Sequence, residues 1–224
     1  MTHWFLLLEF VVLFVALPVA YRYSPWRISP LPILWLAAAY CWWTLGRAHL
    51  PVPVFGAAAV PATLPSAAVI FLIIASIIVY CIWRFIPDAL FDMPRQRPAL
   101  WMLVMVLYPV FSVYPQGIVY RVFLMERYAV LFPHPLLLVV VSAFSFGFMH
   151  LVFRNWVAVG LTAFGGLLFA WRFQHTGSMA ASSYEHALYG CLLFTAGLGR
   201  YIYHGTVALA EAVEEVVEEV STAD

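Results

Sequence analysis

The chain has 224 residues, of which 65% are hydrophobic and 10% charged, with a mean hydropathy of +0.92. A soluble domain carries about 25% charged residues, and a soluble fold of this composition would expose apolar patches that such proteins avoid. The composition excludes a soluble enzyme, a disordered chain and a nucleic-acid-binding protein, and predicts an integral membrane protein.

The zero net charge is unevenly distributed. There is no lysine, and all eleven arginines lie at or before Arg200. Six of the eleven acids follow Gly205, so residues 1–204 carry eleven arginines against five acids, +6, and the tail carries −6. Cys41, Cys81 and Cys191 lie in apolar runs without CxxC spacing and are read as small packing residues, not a disulfide framework or zinc site.

A spanning helix needs about 20 mostly apolar residues, and only helices or closed barrels satisfy the backbone in lipid. The apolar runs are continuous rather than alternating, which predicts an all-α polytopic bundle of about seven spans. In chain order they are residues 4–21, 31–45, 64–85, 99–114, 135–153, 156–173 and 178–203. The first run lacks a basic leader and a small-residue cleavage site before Arg22, so it is read as a retained anchor. Its Glu9 is expected to snorkel to the interface. Four prolines mark residues 51–65 as a loop or interfacial segment.

Between the fourth and fifth spans, Arg121, Glu126 and Arg127 make the segment around 116–130 too charged to face lipid. It is predicted to be an extra amphipathic helix packed inside the bundle, opened by Pro115. Arg22 and Arg27 in the first loop, with Arg84, Arg95 and Arg97 in the third, outnumber Arg47 in the second. That bias predicts an outside N-terminus. The tail, 205–224, places Leu209, Val213, Val216 and Val220 on one stripe and its glutamates on the other. It is read as an acidic amphipathic helix, either solvated or docking on a basic protein surface.

Ionisable groups inside spans cost about 2.5–3.5 kcal/mol each and are functional candidates by default. Gly117 and Arg121 are one turn apart, as are Phe146 and His150, while Ser182, His186 and Gly190 share one face of the last span with Glu185 beside them. A single intramembrane histidine is ordinarily interhelical glue. Two histidines and an arginine on three segments point to a shared site. For Glu185 the competing reading is a buried ion pair with Arg121 or Arg154.

The order Tyr-Pro-Gln116-Gly117-x-x-Tyr-Arg121, then Phe146-x-x-x-His150, then Glu185-His186-Ala-Leu-Tyr-Gly190 resembles the CAAX protease and bacteriocin-processing (CPBP) family of intramembrane peptidases. The resemblance runs over residues 99–204, with Asn155 as a further supporting position. It implies a helical bundle in a bacterial inner membrane, with a polar cavity opening within the bilayer. It also implies Arg121, His150 and His186 as site residues; the carboxylates available to substitute for a missing base are Glu126 and Glu185, and Glu185 is taken as the candidate. In that family the first motif is Glu-Glu-x-x-x-Arg, and one glutamate activates water. Here those positions are Gln116 and Gly117, and the loss at 117 is taken as the decisive departure. The family also often has Asn or Asp where this chain has Gly190.

A general base contributes about 10²–10⁴-fold, so the resemblance implies weak or no proteolysis. One function is cleavage of a membrane peptide, and its rival is a silent scaffold, assembly factor or complex subunit binding a partner helix. A divalent metal such as zinc on His150 and His186 would lack the usual third protein ligand. Transport finds no support in repeated or broken helices.

Overall fold

The computed structural model describes residues 3–24, 29–50 and 55–201, together with helical positions 211, 213 and 215. The described residues form helices and connecting turns. The long helices are α1 (His3–Tyr23), α2 (Pro30–Arg47), α3 (Ala57–Phe85), α4 (Pro98–Arg127), α5 (Pro135–Phe153), α6 (Trp156–Thr176) and α7 (Met179–Ala196). Five of them, all but α2 and α7, are long and apolar enough to cross a membrane. At about 1.5 Å per residue the 18-residue α2 and α7 reach about 27 Å; α7 lies largely buried within the bundle, whereas α2 buries only one face, with Leu36 and Trp43 exposed. Exposed Leu36, Leu72, Val106 and Phe144 face outward, as apolar surface in contact with lipid should.

The helix ends follow from local chemistry. Prolines open α2, α4 and α5, where a fixed φ and a missing N–H cost nothing. Asn155 caps α6 by accepting from the Ala158 N–H at 3.0 Å, and Ser178 caps α7 by accepting from Ala181 at 3.1 Å. Gly197 ends α7 in the left-handed conformation at φ 106°, with its α-carbon against the Ala89 backbone. That glycine ends α7 seven residues before the expected boundary at 203. Conversely, α3 begins at Ala57, so much of the proline-rich stretch expected to be a loop or interfacial segment is the start of a long helix. Pro61 sits in its first turn and Pro65 inside it.

The expected separate helix around 116–130 is instead the second half of α4, which runs unbroken for 30 residues from the fourth span. Two π-helical stretches, Pro109–Val113 and Ile118–Phe123, carry it past Pro109 and Pro115. Such wide turns absorb interruptions of the helical ladder and cluster at functional sites. Every residue from Pro115 to Met125 is buried, so this half lies inside the bundle as expected, but as a central strut packed on all sides rather than an amphipathic helix. The other central helix is α7, which buries ten of its residues. Helices α5 and α6 approach closely at Gly147 against Ala163 and Gly166 against Ala143, the small-residue packing that membrane helices favour.

Glu9 does not snorkel. It is buried between α1, α2 and α4, accepts from Arg127 Nε at 3.0 Å, and takes hydroxyl hydrogens from Tyr40 (2.9 Å) and Tyr128 (3.2 Å). Burial, reinforced by the Glu9 carboxylate, pushes the Tyr128 hydroxyl above its ordinary range, which keeps it a donor. Four groups from three helices satisfy one another, which is what makes a charge this deep tolerable. Of the cysteines, Cys41 is buried, Cys191 half-buried and Cys81 exposed, and all three are free. The acidic tail lies outside the described residues except at Glu211, Val213 and Glu215; Glu211 pairs with Arg97 at 2.8 Å.

Candidate functional site

Helices α4, α5, α6 and α7 surround a cavity of about 90 Å³, with Ile74 and Ile78 of α3 on its remaining side. Its polar lining is Tyr108, Ser112 and Gln116 from α4, His150 from α5, Thr162 from α6, and His186 and Tyr189 from α7. Phenylalanines and aliphatic side chains supply most of the rest. Phe164 lines the cavity and is itself 60% exposed, so the cavity reaches the outer, lipid-facing surface beside α6.

Tyr108, Ser112 and Gln116 reach the cavity because they repeat every fourth residue along α4. Gln116 Nε2 donates to Ser112 Oγ at 2.9 Å, which turns its Oε1 into a buried acceptor without a partner. His150 is held by its own helix: Nδ1 lies 2.7 Å from the Phe146 carbonyl. A carbonyl only accepts, so Nδ1 carries the hydrogen and Nε2 presents a lone pair. Phe146 packs its ring edge-on to both histidines, with centroid distances of 4.7 Å to His150 and 5.2 Å to His186.

His186 is held on both sides. Arg121 Nη2 lies 2.7 Å from Nδ1, and the Tyr108 hydroxyl lies 3.1 Å from Nε2. A guanidinium has no acceptor, so Nδ1 accepts from Arg121. The hydrogen of the imidazole is therefore on Nε2 and is donated to Tyr108. Phe169 stacks on the His186 ring at 4.7 Å. The Arg121 guanidinium lies over the rings of Phe146 and Phe169 at 5.2 and 5.3 Å, and its Nη1 has no hydrogen-bond partner.

The structure thus gathers Gln116, His150, His186 and Phe146 around one cavity and places Arg121 directly behind His186. Residues 97–192 match the family model of type II CAAX prenyl endopeptidase Rce1-like proteins. The segment is similar to that family. It spans α4, α5, α6 and most of α7, the helices that build the cavity, and agrees with the resemblance carried by the three motifs. No curated protein and no solved structure matches the chain.

Three of the candidate residues sit elsewhere. Gly117 faces α7, where a β-carbon would lie 3.1 Å from Ser183 Oγ and 3.5 Å from Met179. Position 116, not 117, is therefore the first-motif position that faces the histidines, which corrects the weight placed on Gly117. Glu185 pairs with Arg172 at 2.5 Å, and Arg172 also donates to Ser66 Oγ of α3 at 3.1 Å. The expected partners Arg121 and Arg154 are not used: Arg121 serves His186, and Arg154 donates to the Arg22 carbonyl. Glu185 follows the neighbour direction forced by the helix, about 100° from His186, and does not line the cavity. Asn155 caps α6 and donates to the Tyr201 carbonyl at 2.8 Å. Tyr108, Ser112 and Arg172 escaped the sequence reading, although the four-residue repeat ending at Gln116 was a usable signal for the first two.

The donor set does not fit a catalytic zinc. Among the described residues no group of three His, Cys, Asp or Glu side chains gathers around a common point. Both ring nitrogens of His186 are already committed, which leaves His150 Nε2 as a single ligand where three are usual.

Proposed function

We propose that this is a membrane protein of the CPBP type that uses the cavity between α4 and α7 to hold a membrane-borne chain and has lost most or all proteolysis. The observation that carries this reading is Gln116. Its side chain faces the cavity beside His150 and His186, at the position where the family resemblance implies a glutamate. An amide has no proton-accepting state near neutral pH, and a general base is worth about 10²–10⁴-fold. Glu185 is no substitute, because Arg172 already holds it outside the cavity. What remains suits binding: an apolar channel from the lipid side, a lone pair on His150 and a buried amide oxygen on Gln116.

The test is cleavage of a panel of membrane peptides by protein purified into nanodiscs. Wild type and Gly117→Glu are expected to be inactive, because position 117 faces Ser183. Gln116→Glu is expected to gain activity, and His150→Ala in that background to lose it again. Wild-type cleavage that disappears in His150→Ala would overturn the reading in favour of an intact peptidase. The six acidic residues of the tail suit a basic partner surface, tested by pull-down with and without residues 205–224. Resemblance to bacterial family members supports a bacterial inner membrane, checked by fractionation.

A further inference from the structure

We infer that the cavity binds a single-chain amphiphile with a carboxylate head, a long-chain fatty acid anion, and that Tyr108 is the residue that receives the head. The inference rests on the binding reading above and names the chemistry of the ligand.

The starting point is an imbalance of charge. Arg121 is 2% exposed, and its one hydrogen-bonded side-chain partner is the uncharged His186. Among the described residues no carboxylate pairs with it, and its Nη1 has no partner. A buried charge in a low-dielectric surround requires a counter-charge, and the described residues do not provide one. No acid lines the cavity. The ring faces of Phe146 and Phe169 attract the guanidinium but carry no net charge.

The hydrogen bonds carry that positive charge toward the cavity in one direction. Arg121 donates to His186 Nδ1, His186 donates from Nε2 to the Tyr108 oxygen, and the Tyr108 hydroxyl hydrogen is left to point onward. Successive donors polarise one another, so a guanidinium one residue removed makes Tyr108 a stronger donor. Tyr108 lines the cavity. Its place is created by Gly190: a β-carbon there would overlap the Tyr108 ring and hydroxyl. A tyrosine from another helix thus fills the space beside Gly190.

Size and surroundings select among anions. The cavity is about 90 Å³, below the roughly 150 Å³ that accommodates benzene. A carboxylate with one or two methylenes fits; a phosphodiester with its glycerol and two chains does not, and neither does a branched peptide terminus. Ile74, Ile78, Phe164 and Leu168 continue the wall in apolar side chains toward the lipid face, where the rest of a single acyl chain would lie.

Equilibrium binding of radiolabelled palmitate to the full-length protein in nanodiscs tests this, with hexadecanol and a peptide bearing a free C-terminal carboxylate as comparison ligands. Saturable 1:1 palmitate binding is expected, at least about tenfold tighter than hexadecanol, since a charge-assisted hydrogen bond is lost with the alcohol. Tyr108→Phe, which keeps the ring, is expected to weaken palmitate about tenfold and to leave hexadecanol unchanged. Arg121→Met is expected to abolish the preference for palmitate. Circular dichroism melts verify that each variant is folded. Equal binding of palmitate and hexadecanol, or wild-type palmitate affinity in folded Tyr108→Phe, would overturn the inference. So would binding of the peptide carboxylate without palmitate, while leaving the binding function itself intact. Failure of every ligand together with His150-dependent peptide cleavage would instead sink the binding function.

Discussion

Two buried arginines lie six residues apart on α4, and they are handled in opposite ways. Arg127 meets a carboxylate: Glu9 accepts from it, and Tyr40 and Tyr128 complete the acid's hydrogen bonds. Arg121 meets a neutral imidazole, two aromatic faces and, among the described residues, no acid. The first arrangement is closed, with charge and hydrogen bonds balanced among α1, α2 and α4. The second is open, and what it lacks lies beside a cavity. A satisfied buried ion pair therefore marks where this bundle is locked, and an uncompensated charge marks where it is prepared to bind.

That contrast breaks most visibly at Glu9. Glu9→Ala strands Arg127 in the interior and is expected to cost about 3–5 kcal/mol, measured as the loss in midpoint of denaturant unfolding in detergent. Glu185→Ala is expected to cost a similar amount by stranding Arg172, with the cleavage and binding assays then reading a folding defect rather than a chemical one. Arg121→Met marks the other side of the comparison. With no acid left behind, its stability is expected to match or exceed wild type, and equal destabilisation of Arg121→Met and Glu9→Ala would erase the distinction.

A smaller effect is expected from Gly190→Ala. The added methyl meets the Tyr108 ring, so overpacking of about 1–3 kcal/mol is expected, together with loss of palmitate binding as the hydroxyl shifts. The smallest belongs to the half-exposed Arg97–Glu211 pair. Glu211→Ala is expected to change stability by less than about 1 kcal/mol, and a larger loss would mean that the tail is part of the lock.

Much of the fold could be read in the sequence because lipid imposes it. Continuous apolar runs predict helices, and their order survives in α1 to α7, of which five rather than seven are long and apolar enough to cross a membrane. The elements misjudged were those where a local signal met a tertiary answer. Prolines at 61 and 65 read as loop, yet α3 tolerates both near its start. Charge at 121–127 read as a separate helix packed inside the bundle; it is packed inside, but as the continuous second half of α4. Glu9 near a chain end read as a snorkelling acid because its partner is 118 residues away in sequence.

The candidate site divides in the same way. Residue types and order along the chain determined a membrane bundle, the family resemblance and the three segments that meet in the site. Local periodicity also aligned Phe146 with His150. Only the tertiary structure decided which side chain faces which. It turned Gln116 inward and Gly117 toward Ser183, gave Glu185 to Arg172, and set Tyr108 in the space left by Gly190. The physical reason is that a helical repeat specifies faces, whereas the rotation of each helix within the bundle is set by packing against neighbours far away in the chain. The even balance of charge in the sequence conceals the outcome that matters most: one buried arginine finds its acid, and another, six residues earlier, does not.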